Sequence, residues 1–79
     1  MSPTVFRDGP YRFFFFSREE SRMHIHVASP NGEAKFWMEP TIEMAGNHGI
    51  RAHELSDIAK IIEERADEIA AAWRKHFSS

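Results

Sequence analysis

The sequence predicts an α+β fold: a four-stranded antiparallel sheet packed on one long C-terminal helix, ββββα, in two layers. Two observations carry this. Residues 3–39 are dense in aromatic and β-branched side chains punctuated by turn residues, as strands and hairpins require. Residues 52–77 contain no Gly or Pro, and Leu55, Ile58, Ile62, Ala66, Ile69, Trp73 and Phe77 recur at steps of three and four, giving one apolar stripe. A sheet with one apolar face and a helix with one apolar stripe bury each other.

The elements follow in order. Thr4–Arg7 reads as a short strand ended by the turn signal Asp8-Gly9-Pro10. Tyr11–Ser17 is the second strand, and Arg18–Arg22 a charged connection. Met23–Ala28 is the third strand. Ser29-Pro30-Asn31-Gly32 then predicts a tight hairpin, its Asn-Gly pair tolerating positive φ. Glu33–Met38 is the fourth strand, stopped by Pro40. Residues 40–51 read as a connecting loop, with a short helical turn at Thr41–Ala45 and a second turn at Asn47-His48-Gly49. The helix over 52–77 has Glu54 and Asp57 near its start and Arg74 and Lys75 near its end, both favourable to the helix dipole. His53 and His76 are expected to face solvent, with His76 near the negative end of that dipole.

Length and composition bound the function. The 79 residues predict a single domain over 1–79, in which about 60% of the unfolded chain's surface is buried. A domain this small gains from a partner or from a second copy. The chain has no cysteine, which excludes disulfides, thiolate metal sites and cysteine nucleophiles and fits a reducing cytosol. No run approaches the roughly 20 apolar residues of a membrane span, and residues 1–7 lack the pattern of a signal peptide. A cytoplasmic location is therefore expected. The net charge of −2 is interspersed, so an overall basic nucleic-acid footprint is absent, leaving only a local patch.

Candidate chemistry centres on Met23-His24-Ile25-His26-Val27. Residues two apart on a strand share a face, so His24 and His26 stand side by side opposite Met23, Ile25 and Val27. Alternation puts Tyr11, Phe13, Phe15, Met23, Ile25, Val27, Ala34, Phe36 and Met38 toward the helix. The other face then holds Arg12, Phe14, Phe16, His24, His26, Lys35 and Trp37. One helix covers only one face. The second face must meet water, a protein or another copy, or bind single-stranded RNA, where rings stack on bases and cations meet phosphates.

On this reading Phe14, Phe16, Trp37 and His48 are binding residues. His24, His26 and Arg12 or Lys35 are candidates for metal-independent RNA cleavage: one imidazole activates the 2′-hydroxyl, the other protonates the leaving oxygen, and the cation stabilises the phosphorane. The alternative reading makes both histidines surface residues that help pack Trp37. His24, His26 and His48 also offer three nitrogens of the kind that hold zinc. With no carboxylate tied to them, no metal set is assigned. No cofactor is expected: a nucleophile elbow, a Gly-rich phosphate loop and a paired-carboxylate motif are all absent.

The ordered set Pro3-Thr4-Val5-Phe6-Arg7, Gly9-Pro10-Tyr11-Arg12-Phe13, His24-Ile25-His26-Val27, Gly32-Glu33-Ala34-Lys35-Phe36-Trp37 and Asn47-His48-Gly49 is specific when taken together. It resembles the small bacterial domain-of-unknown-function family 4160 over almost the whole chain. The resemblance implies a two-gene operon shared with another small protein, hence a toxin–antitoxin pair in which this chain is the toxin and a cognate antitoxin its partner. It carries over no catalytic residues. Phe14 and Phe16 stand where Tyr is frequent in the family. Arg51 stands where a Ser or similar cap is common, which weakens the helix start.

Overall fold

The structure, a computed structural model, describes residues 4–16 and 21–77. Five strands form one antiparallel meander in the order β1-β2-β3-β4-β5: β1 (Thr4–Asp8), β2 (Tyr11–Phe14), β3 (His24–Ser29), β4 (Gly32–Trp37) and β5 (Glu43–His48). Two helices follow, α1 (Ala52–Glu64) and α2 (Ala66–Phe77). The α+β class and the antiparallel meander are as expected. The strand and helix counts differ from expectation, and part of the segment 17–22 expected to end β2 and lead into β3 lies outside the described residues.

The first correction is β5. The region expected to be a loop with a helical turn is a fifth strand, paired with β4 from Trp37↔Glu43 to Glu33↔His48. Its sequence, Glu-Met-Ala-Gly-Asn-His, has no β-branched residue, and all six residues are exposed. Pairing with β4, rather than local propensity or burial, makes it a strand.

The second correction is the helix. Instead of one rod, the chain bends at Arg65, whose φ of −114° and ψ of 23° leave the helical region. The Arg65 N–H still donates to the Ile61 carbonyl and the Ile69 N–H to that of Arg65, both at 3.0 Å, so the hydrogen-bond ladder passes through the bend. The Arg65 guanidinium lies 3.5 Å from the centroid of the Phe6 ring on β1. It also forks onto Glu68, with Nε and Nη2 donating at 2.8 and 3.0 Å. Arg65 thus ties the junction of the two helices to the sheet, and further along α2 Trp73 meets Phe15, with ring centroids 5.3 Å apart. At the other end Arg51 occupies the cap position and makes no side-chain capping bond.

The core lies between the sheet's inner face and the helices. Tyr11, Phe13, Phe15, Ile25, Val27, Ala34 and Phe36 are buried there with Phe6, Ile50, Ile58, Ile62, Ile69 and Trp73, while Met23, Met38 and Leu55 pack at its margin. The expected alternation therefore holds for the inner face. The β3–β4 hairpin turns on Pro30-Asn31, whose flanking Ser29 and Gly32 are paired. Asn31 has no positive φ; the Ser29 hydroxyl accepts from the Asn31 and Gly32 N–H groups at 3.2 and 3.3 Å instead. Gly32 is required for another reason: a Cβ there would run into the His48 carbonyl. Gly49, at φ +90°, likewise has a backbone that a side chain would strain. These two glycines let the end of β5 close against the hairpin.

Candidate functional site

The ladder fixes which outer-face side chains meet. Phe14 pairs with His26 and His26 with Lys35, so three predicted residues form one row across β2, β3 and β4. His24 pairs with Trp37 in the row beside it. The Arg12 guanidinium sits 4.5 Å from the Phe14 ring centroid, and its Nε donates to the Thr4 hydroxyl at 2.7 Å. The Phe14 and His26 rings stack at 5.5 Å, and Phe16 packs against His26 at 4.2 Å. Phe14 is buried, contrary to its expected exposure, because Arg12, Phe16 and His26 crowd it. Phe16 remains 44% exposed.

Trp37 carries two cations. The Lys35 ammonium lies 4.3 Å and the Arg22 guanidinium 4.2 Å from its ring centroid. Arg22 is held from the end of β4: its Nε donates to the Glu39 carbonyl at 2.8 Å, and the Glu39 carboxylate accepts the Met23 N–H at 3.1 Å. The sequence reading missed both residues. Arg22 sits in what looks like a charged connection, and Glu39 beside the proline that ends β4.

His24 departs from expectation most. It shares the outer face by alternation but is 0% exposed. Its Nδ1 lies 2.7 Å from the Arg22 carbonyl oxygen, which can only accept, so the proton resides on Nδ1. The ring is surrounded by His26 at 5.1 Å, Trp37 at 5.5 Å and Trp73 of α2 at 5.2 Å. Trp73, carried on α2, covers this end of the sheet and helps to remove His24 from water. A ring with no accessible surface cannot meet a phosphate unless the rings around it move.

His48 ends β5, exposed, directly across the ladder from Glu33. The Asn47 side chain fixes this corner: its Nδ2 donates to the Ile50 carbonyl at 2.9 Å, and its Oδ1 accepts the Ile50 N–H at 3.0 Å. Between β3 and β5 runs an open groove of about 380 Å³, whose lining includes Phe16, His26, Glu33, Lys35, Asn47 and His48. A second concavity of about 450 Å³ lies between β1 and α2, bordered by Val5, Phe15 and His76, and contains none of the predicted site residues.

The structure thus brings Arg12, Phe14, Phe16, His26, Lys35 and Trp37 together on one face, with His48 at its β5 margin and His24 behind it. Among the described residues, no three His, Asp or Glu side chains are grouped to hold a metal ion.

The family model for the domain of unknown function DUF4160 matches residues 11–74. The chain belongs to this family. The DUF4160 match spans β2 through most of α2 and so contains every residue of the outer-face site and Trp73 behind it. None of the curated proteins and none of the solved structures matches the chain. No helix among the described residues is long and apolar enough to cross a membrane.

Proposed function

We propose that this DUF4160 chain binds single-stranded RNA on the outer face of its sheet and acts as the toxin of a two-protein toxin–antitoxin pair in the cytoplasm. One observation carries the RNA reading: Trp37 with the Arg22 and Lys35 cations within 4.3 Å of its ring, next to the Arg12–Phe14–His26 stack. Rings offer stacking surfaces to any base, and guanidinium and ammonium groups beside them meet phosphates. The cations also overlie the rings, so the face is not the bare apolar patch of a hydrophobic interface. The toxin role rests on the family resemblance, and the antitoxin would cover this same face.

Anisotropy of labelled single-stranded RNA, at stated salt, tests the binding. Trp37→Ala is expected to weaken it by about tenfold or more, as loss of a stacking platform does. Lys35→Ala is expected to lower the salt slope by about one. Soluble protein that ignores RNA sinks the proposal.

A second reading, a non-enzymatic protein-interaction module, is favoured by β5. This edge strand is exposed throughout, with Met44 52% exposed. Strand addition there would join an antitoxin or a second copy. Light scattering of the isolated chain, then of the chain with its operon partner, separates these states.

A further inference from the structure

We propose that His26 and His48, with Lys35 between them, form an acid–base pair that cleaves single-stranded RNA by internal transesterification in the groove between β3 and β5. The inference rests on the RNA-binding reading and replaces the expected His24–His26 pair, because His24 has no accessible surface and has its Nδ1 proton on the Arg22 carbonyl.

The ladder sets the geometry. His26 lies opposite Lys35, Lys35 lies opposite Gly46, and His48 lies two residues beyond Gly46 on β5. With strands about 4.8 Å apart and residues about 3.4 Å apart along them, the two histidine Cα atoms stand about 12 Å apart. Both side chains project to the outer face and line the same groove. That separation leaves room for a phosphodiester in the groove that both histidines line. Gly46 contributes no side chain to the space separating them. Lys35 stands opposite His26 in the middle strand; its ammonium, 4.3 Å from the Trp37 ring centroid, must swing off the indole to stabilise charge on the phosphate. Phe16, exposed at the rim and 4.2 Å from the His26 ring, offers a stacking surface for the adjacent base. Glu33 is paired with His48 across the ladder and stands on the same face.

The step balances without a metal or co-reactant. One imidazole takes the proton of the 2′-hydroxyl as its oxygen bonds to phosphorus. The bond from phosphorus to the 5′-oxygen breaks, and the other, protonated imidazole gives its proton to that oxygen. Lys35 compensates the extra negative charge of the five-coordinate phosphorus. The products are a 2′,3′-cyclic phosphate and a 5′-hydroxyl, and proton exchange with water resets the pair.

The test uses the full chain, a chelator, a labelled RNA oligonucleotide and its DNA counterpart. Binding is followed by anisotropy and cleavage by mass spectrometry of the fragments. Expected are cyclic-phosphate ends from RNA only and a bell-shaped dependence of rate on pH. His26→Gln and His48→Gln should each slow cleavage of bound RNA by about a hundredfold or more, measured with protein in saturating excess. His48→Gln carries the most weight, since an exposed side chain can be changed without unfolding the chain. RNA that is bound but not cut, or cut equally by His48→Gln, overturns this inference and leaves RNA binding standing. Failure to bind RNA overturns both.

Discussion

The imidazole of His24 stands edge-on to the indole of Trp73, with ring centroids 5.2 Å apart, and so joins the first residue of β3 to α2. Two histidines that look equivalent in the sequence therefore have different structural roles. His24 supports the fold, and His26 belongs to the surface.

His24→Ala is consequently expected to cost about 2–4 kcal/mol of folding stability, because it opens a cavity among Trp37, Trp73 and His26 and strips the Arg22 carbonyl of its donor. His26→Ala, half-buried and at the surface, should cost about 1 kcal/mol or less. Urea unfolding of both variants checks the contrast. His24→Asn, whose amide can still donate to Arg22, should recover part of the loss. Equal effects from the two alanine variants would contradict the division of roles. A double alanine variant is therefore a poor probe of chemistry, since any loss of activity would be confounded by loss of fold.

Arg65 gives a second contrast. Its ion pair with Glu68 is exposed, with side chains 34% and 47% accessible, and such pairs contribute little. Its guanidinium also packs over the Phe6 ring and joins the helix junction to β1. Arg65→Ala is expected to cost about 1–2 kcal/mol and Glu68→Ala about 0.5 kcal/mol or less. Thermal unfolding of the pair decides whether the ring contact or the ion pair matters. Arg65→Met, which keeps an apolar stem over the ring, should fall between the two.

These positions also mark where the sequence was legible. The inner face was, because Phe13, Ile25, Val27 and Phe36 alternate with polar residues and obey the period of two. The helical stripe was legible for the same kind of reason. β5 was not: Met44-Ala45-Gly46-Asn47 carries no strand propensity, and its pairing is a tertiary fact. Nor was the bend at Arg65, which no Gly or Pro announces and which depends on a ring eight strand-and-turn residues before Phe14. Within the site, alternation grouped Arg12, His26, Lys35 and Trp37 correctly, because they lie on three adjacent strands. It could not show that Trp73 of α2 covers His24, since that is a tertiary contact between distant parts of the chain. Arg22 escaped notice because its contact with Trp37 joins a residue outside any strand to one inside.

Tyr11 is the only tyrosine, so its titration can be read directly from tyrosinate absorbance. Burial, then the Glu54 and Asp57 carboxylates, raise its phenol above the ordinary 10.0. The folded state therefore holds this proton more tightly than the unfolded chain does. The resulting stability is fully present below pH 10.0 and is lost as pH rises through the folded-state value. Unfolding free energy should fall with pH in that window, and less steeply in Tyr11→Phe. A tyrosinate midpoint at or below 10.0 in the folded protein would remove the basis for this expectation.

Gly32 and Gly46 lie on the two strands that form the β5 side of the groove, and substitution should separate their roles. A Cβ on Gly32 would strike the His48 carbonyl, a backbone atom that cannot swing aside as a side chain can. Gly32→Ala should therefore push the end of β5 away from β4, costing about 1–3 kcal/mol. The damage should be local: amide exchange accelerates in β5 while β2 and β3 keep their protection. A Cβ on Gly46 meets nothing within 4 Å, and its φ is not positive. Gly46→Ala should then be neutral or stabilise by up to about 1 kcal/mol, through the reduced freedom of the unfolded chain. Because His48 moves with the end of β5, Gly32→Ala should also impair whatever the groove does, with every groove side chain still in the sequence. A Gly32→Ala variant with unchanged β5 protection would mean that the hairpin and β5 do not approach as closely as the ladder requires.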